Sequence, residues 1–215
     1  MDSTLKDKYD SIIFDLDGTL WDSTDTITGA WQTALDKAPY MSHEVMSRER
    51  VRSITGMTYD AIFEKLFPFL STDQRAEVQR LCSLSELEIL HKQGGTLYPK
   101  LEETLIELGK KYKLYIVSNC QNGYIELFLD LSNMHSHFLA HQCFGTNGNP
   151  KADNIRDIVN DNELQAPVYV GDTMGDYDAA TKAGVPFIFA SYGFGVVESG
   201  QVATINNFEE LKVIL

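Results

Sequence analysis

The chain has 215 residues, 43% hydrophobic and 23% charged, a globular composition at a length that suits one large domain or a domain carrying an insertion. With 18 Lys and Arg against 31 Asp and Glu the net charge is −13, which argues against nucleic acid or an anionic membrane surface as a partner. The three cysteines, Cys82, Cys120 and Cys143, form no C-x-x-C pair; this argues against a disulfide framework or a zinc site and for a reducing, cytoplasmic compartment.

Met1–Lys8 lacks the apolar centre of a targeting segment, and no apolar run reaches the length of a membrane span. The first predicted strand is Ser11–Phe14, and Asp15-Leu16-Asp17-Gly18-Thr19 follows it. Residues two apart in extended backbone point to one side, so the spacing carries Asp15 and Asp17 off the strand together. Gly18 then permits a sharp turn.

From Trp21 to Gly94 the pattern contains helices and no strand. Helices are predicted over Thr26–Lys37, Ser42–Ser53, Tyr59–Phe67 and Thr72–His91, with Ser42 and Thr72 as N-caps and Pro68 ending the third. Trp31, Phe63 and Phe67 recur at helical spacing and are expected in the core of this segment. Gly94-Gly95 closes it as a flexible joint.

Beyond the joint, strands are predicted at Leu114–Val117, Phe138–Phe144, Val168–Val170 and Val185–Ala190. Most are short, apolar and β-branched, as parallel strands buried on both faces are. Amphipathic helical stripes lie between them, carried by Leu101, Leu105, Ile106 and Leu108, by Ile125, Leu127, Phe128 and Leu131, and by Ile155, Ile158 and Val159. The fold expected is α/β, a doubly wound parallel sheet made by residues 1–20 and 95–215, with a helical cap inserted over 21–94.

Gly171-Asp172-Thr173-Met174-Gly175-Asp176 is a second acidic cluster at a strand end. Ligands of open α/β sheets bind beyond the carboxyl ends of the strands, so Asp15, Asp172 and Asp176 are expected in one pocket. Two like charges about 4 Å apart repel by ~4 kcal/mol at an effective dielectric of about 20. The cluster therefore calls for a cation or a proton, and hard oxygen ligands suit Mg²⁺. Ser118-Asn119 ends the strand Leu114–Val117, and Lys151 follows Asn149-Pro150 just before a helix. A calcium-binding loop starting at Asp15 fails, because its sixth place is Leu20 and its twelfth Thr26. Lys151 has no P-loop around it. His135, His137 and His141 read as an exposed loop or helix face. Taken singly, each polar residue also has a plain structural role in a turn, a helix cap or a solvated surface.

Taken together and in order, these motifs resemble the haloacid dehalogenase superfamily of phosphohydrolases, over essentially the whole chain. The resemblance is closest to the subgroup with a helical cap between the first two motifs, which includes phosphoglycolate phosphatases and β-phosphoglucomutases. It implies Mg²⁺ held by Asp15, the backbone carbonyl of Asp17 and Asp172, with Asp176 in support. Asp15 would be the nucleophile that forms an aspartyl-phosphate, and Asp17 the general acid and base. Ser118, Asn119, Lys151, Gly18 and Thr19 would hold the phosphate of a small phosphorylated metabolite. Trp21, Asp22, Arg52, Gly56, Met57 and Thr58 would select the substrate from the cap, which would move about hinges near Leu20-Trp21 and Gly94-Gly95.

Asp17 speaks for phosphoryl chemistry, since the dehalogenases lack an acid there. The β-phosphoglucomutases are similar at Asp22-Ser23, Ala30-Trp31 and Arg52-x-x-x-Gly56, but carry His where this chain has Ile27. That difference favours hydrolysis. Many relatives place Pro after the motif lysine, whereas Pro150 precedes Lys151 here. A phosphosugar mutase and a non-catalytic phosphate-binding protein stand as the alternatives.

Overall fold

The computed structural model of the chain describes residues 5–215; the first four residues of the segment read above for targeting lie outside it. Among the described residues, strand β1 (Ser11–Phe14) is the only strand of the main sheet before the helical segment. Two short strands, β2 (Trp21–Asp22) and β3 (Thr96–Leu97), flank helices α1 (Thr24–Leu35), α2 (Arg48–Arg52), α3 (Tyr59–Leu66) and α4 (Thr72–Gln93). Then follow α5 (Leu101–Leu108), β4 (Lys113–Ser118), α6 (Tyr124–Ser132), β5 (Ala140–Cys143), α7 (Phe144–Asn147), α8 (Lys151–Asp161), β6 (Pro167–Gly171), α9 (Met174–Ala183), β7 (Phe187–Ala190), β8 (Ala203–Ile205) and α10 (Leu211–Ile214).

The main sheet has the order β5-β4-β1-β6-β7-β8, and every pairing in it is parallel. All four residues of β1 are buried, and the strand's alternation divides them between two layers. Ile12 and Phe14 join the core under α5, α6 and α10, with Leu105, Phe128 and Leu211. Ile13 joins the core under α8 and α9, with Ile155 and Ala180. The same alternation separates Leu114 and Ile116 from Tyr115 and Val117 in β4. Helices on both faces are what the predicted doubly wound sheet requires.

β1 is central, between β4 and β6, with register pairs Phe14↔Ile116 and Phe14↔Val170. The three strands therefore end side by side, which aligns Asp15, Ser118 and Asp172. Leu20 closes a tight turn by donating its N–H to the carbonyl of Leu16 (2.8 Å). The chain then leaves the core through β2 and returns through β3, and these two strands pair antiparallel.

Four local expectations change. Ser42–Ser53 is not one helix: a 3₁₀ turn at Pro39–Met41 precedes α2, whose N-cap is Ser47, with Oγ accepting the Arg50 N–H (3.2 Å). The N-cap of α4 is Ser71 rather than Thr72, in a reciprocal capping box with Gln74. The segment predicted without strands holds β2, whose two residues give no run. The sheet gains β8, a half-exposed edge strand with too few apolar residues to signal itself.

Phe128 is fully buried and packs edge-on against Trp21, with ring centroids 5.1 Å apart. Phe128→Ala is expected to cost about 3–5 kcal/mol of unfolding free energy. Urea denaturation followed by far-UV circular dichroism measures it.

Candidate active site

Asp15 stands one residue beyond β1, and its N–H donates to the Val170 carbonyl (2.9 Å), continuing the sheet. Its carboxylate is 1% exposed. Lys151, the first residue of α8, reaches it from the layer on the Ile13 face of the sheet: Nζ lies 2.9 Å from Asp15 Oδ1 and 2.6 Å from Asp176 Oδ1. Burial opposes the lysine's charge, but Asp15 and Asp176 override it and raise its pKa.

Asp176 has both oxygens committed. Oδ1 accepts from Lys151 and, at 3.4 Å, from the Tyr169 hydroxyl, while Oδ2 accepts from the Thr173 N–H (3.0 Å) and Oγ1 (2.5 Å). The Thr173 hydroxyl accepts in turn from the Asp176 N–H, so one carboxylate both caps α9 and anchors the lysine. Asp172 is fully buried; its Oδ2 accepts the Phe194 N–H (2.7 Å), and Thr19 Oγ1 is 3.5 Å from its Oδ1. A Cβ on Gly18 would lie 2.2 Å from Asp172 Oδ2, and one on Gly193 2.4 Å from it, so both positions must be bare.

Asp15, Asp172 and Asp176 each offer an oxygen within 4.8 Å of the others, and among the described residues Lys151 is the one cation bonded among them. Each carboxylate pair at that distance repels by roughly 3–4 kcal/mol at an effective dielectric of about 20. Burial, then Asp176, pushes Asp15 up to about 7; burial, Asp176 and Asp15 push Asp172 up as well. An excess of hard oxygen donors with insufficient positive charge fits a divalent cation, which Asp15, Asp172 and Asp176 could hold.

Asp17 is set differently. Its Oδ1 accepts from Trp21 Nε1 (3.0 Å), Ser23 Oγ (2.5 Å) and the Tyr124 hydroxyl (2.8 Å). Burial raises its pKa to about 6 against the pull of these donors. Asp15 and Asp17 line one cavity of about 50 Å³ together with Ser118 and Asn119.

Of the residues expected to select substrate, Gly56 and Met57 line this cavity. Asn119 Nδ2 donates to the Gly56 carbonyl (2.7 Å), joining core to insertion. Trp21 is outside the wall: it is 1% exposed, packed on Phe128, and holds Asp17. Asp22 is outside as well, because it accepts from the Thr24 N–H (3.0 Å) at the start of α1 and pairs with Arg48 (2.8 Å). Arg52 turns away to the Gly193 carbonyl (3.2 Å) and the Phe194 ring (4.8 Å). Thr58 precedes α3 and does not reach the wall. Trp31, expected as core alone, does line the cavity, as do Ile27, Tyr59 and Glu86. Phe63 and Phe67 are buried as expected.

Residues 12–190 match the family model of the haloacid dehalogenase-like hydrolases, and the chain belongs to that family. It is 28% identical over 188 residues to a phosphoglycolate phosphatase of Aquifex aeolicus, covering 85% of each chain. A haloacid dehalogenase-like hydrolase from Streptococcus pneumoniae shares the fold with a TM-score of 0.83 at 23% identity, over 96% of this chain and 98% of that one. CbbY from Rhodobacter sphaeroides, solved in complex with phosphate, shares it with a TM-score of 0.78 at 17% identity, over 94% and 96%. Among the described residues no helix is long and apolar enough to cross a membrane.

The charge excess has a measurable sign. Asp15 ionises near 7 in the metal-free fold but at ~3.9 in an unfolded chain. The native state therefore binds more protons between those values, and metal-free stability falls as pH rises from about 4 to 7. Thermal melts after chelation are expected to give a higher Tm at pH 5 than at pH 7.5, with the slope reduced in Asp15→Asn. A saturating divalent cation should raise Tm at pH 7.5. A Tm indifferent to cation would mean that the cluster binds none.

Proposed function

We propose that the chain is a Mg²⁺-dependent phosphomonoesterase that hydrolyses a small phosphorylated metabolite through a phosphate ester of Asp15. The observation that carries this reading is the meeting of Asp15, Lys151, Asp172 and Asp176 at the ends of adjacent parallel strands, beside a second carboxylate, Asp17, in a different environment. Asp15 and Asp172, with the Asp17 carbonyl, would hold the ion. Bound there, Mg²⁺ would neutralise charge on the phosphoryl oxygens and let an anionic nucleophile approach.

An Asp15 oxygen attacks phosphorus as the bond to the leaving oxygen breaks. Lys151 balances charge on the equatorial oxygens, and the Ser118 hydroxyl is its partner in holding the phosphate. The N–H groups of Gly18 and Thr19, expected there too, are taken by the carbonyls of Trp21 (2.8 Å) and Leu16 (3.2 Å), and Asn119 Nδ2 by that of Gly56 (2.7 Å). Asp17, raised to about 6, gives its proton to the departing alkoxide and then takes one from the water that attacks the phospho-enzyme. The second step releases inorganic phosphate and restores Asp15. The three donors on Oδ1 orient Asp17 and leave its other oxygen for this proton traffic.

Ile27 lines the cavity, and no imidazole does among the described residues, which favours water over sugar hydroxyl as the second acceptor. The relatives' name adds phosphoglycolate to the candidate substrates. Residues 21–94 act in this reading as a cap, hinged at the β2–β3 ribbon and latched by Asn119 on Gly56 and by Gln121 on Ser83 and Glu86. Closure excludes bulk water during transfer. All three cysteines are free, as suits the reducing cytoplasm.

Phosphate release from a panel of phosphomonoesters is expected to require Mg²⁺, to vanish in Asp15→Asn, and to fall by ~10²–10⁴-fold in Asp17→Asn. Release that persists in Asp15→Asn would remove the proposed nucleophile. A short cleavable crosslink between Ser83→Cys and Gln121→Cys is expected to stop turnover until it is cut. Undiminished turnover in the linked protein would remove the cap-closure step.

A further inference from the structure

Glu86 is a buried carboxyl with no counter-charge, its pKa raised by burial against the pull of its hydrogen-bond donors. It sits midway along α4, is 3% exposed, and lines the cavity that holds Asp15. Its Oε2 accepts from Trp31 Nε1 (2.6 Å) and the Tyr59 hydroxyl (2.6 Å), and its Oε1 from Gln121 Nε2 (2.9 Å). All three neighbours donate, the pattern that suits an ionised carboxylate. Among the described residues no Lys, Arg or His nitrogen lies within 4.0 Å of it. A buried anion is normally paired, so this one calls for a partner from outside the chain.

A second, separate observation points the same way. Asn119 Nδ2 is used by the Gly56 carbonyl, while Asn119 Oδ1 is buried without a hydrogen-bond partner. Asn119 lines the same cavity. The wall thus offers an anionic acceptor and an orphaned neutral acceptor, and among the described residues it contains no Lys, Arg or His. The rest of it is largely apolar, with Ile27, Val51, Ile54 and Ile62. A room of about 50 Å³ takes only a few heavy atoms in this closed arrangement.

We infer that the substrate is the phosphomonoester of a small amino alcohol, with its phosphate at Asp15 and its ammonium against Glu86 and Asn119 Oδ1. The ammonium supplies both the missing charge and the missing donors. A carboxylate at the same end, as in phosphoglycolate, would meet Glu86 and find no cation in the wall. A neutral hydroxyl would satisfy Asn119 but leave Glu86 uncompensated. The inference rests on the phosphatase reading and goes beyond it by giving the leaving group a charge.

The test compares kcat/KM for O-phosphoethanolamine, ethylene glycol monophosphate and phosphoglycolate in the wild type and in Glu86→Gln, all with Mg²⁺. The amine is expected to lead each competitor by about tenfold or more. In Glu86→Gln the lead should collapse, with phosphoglycolate gaining on the amine. Calorimetric binding of the non-hydrolysable aminoethylphosphonate and phosphonoacetate repeats the comparison without turnover. Should Glu86→Gln fail to fold, the wild-type ranking and the binding pair decide alone. Turnover that favours phosphoglycolate or is indifferent to the amine, or a lead that survives Glu86→Gln, would overturn this inference and leave the phosphatase intact. No turnover of any ester, with selective binding of aminoethylphosphonate, would overturn the phosphatase and keep the amine site. No turnover and no selective binding would overturn both.

Discussion

Everything around the site follows from one electrostatic imbalance, three buried carboxylates facing one lysine. Asp15, Asp172 and Asp176 crowd together only because β1 and β6 are neighbours in register and both end at the same level. Lys151 offsets part of the repulsion by bridging Asp15 and Asp176, and it can do so because α8 packs on the face of the sheet that carries Ile13. The remaining excess makes the cluster fit a cation better than a static salt bridge. A buried ion pair satisfied within the chain would have no chemistry to offer. Gly18 and Gly193 belong to the same arrangement, since any side chain there would displace the Asp172 carboxylate.

Asp15 and Asp17 are chemically identical and two residues apart, yet their surroundings divide the labour. Asp15 is held by a lysine from one layer of the core. Asp17 is held by neutral donors from the other: Tyr124 of α6, Trp21 of β2, and Ser23 just before α1. The lysine alone does not keep Asp15 an anion, because burial and Asp176 push it up to about 7, so a cation would be needed to hold it ionised. Burial among neutral donors instead puts Asp17 at about 6, where it could take and give a proton. Two of the three groups on Asp17 belong to the segment by which the chain enters the insertion. The orientation of Asp17 is therefore tied to the position of that insertion, and in the proposed reading opening and acid–base competence would be coupled by a few hydrogen bonds.

The strands that carry the site were readable because each is a short apolar run between turn residues, and because burial on both faces leaves no polar position to blur it. The carboxylates were readable because their spacing has few other uses at strand ends. What escaped had no local signature. β8 is an edge strand with one buried residue, and α2 follows a break that helical periodicity runs straight across. Asp22 sits next to the first motif and was expected in the pocket, but the start of α1 and Arg48 claim it. Glu86 was invisible for a deeper reason. Helix α4 packs against α1, α3 and α6 and shows no clean apolar stripe, so a glutamate between leucines reads as a solvated position. Only the fold reveals that Trp31, Tyr59 and Gln121 converge on it.

The two ends of the cavity make opposite demands. The strand ends would attract a phosphate by way of a lysine and, in the proposed reading, a cation, and the insertion presents a carboxyl without a counter-charge under a largely apolar roof. Shutting that roof over a ligand removes water from Glu86, and desolvating an uncompensated charge opposes closure. A ligand that brings a positive charge to Glu86 turns the same step from unfavourable to favourable, because the interaction strengthens as water leaves. A ligand that brings a second negative charge makes it worse. On the proposed reading, selection need not come from shape alone: the charge at the far end of the leaving group would decide whether the insertion can close, and closure would in turn set the geometry of Asp17 at the bond to be broken.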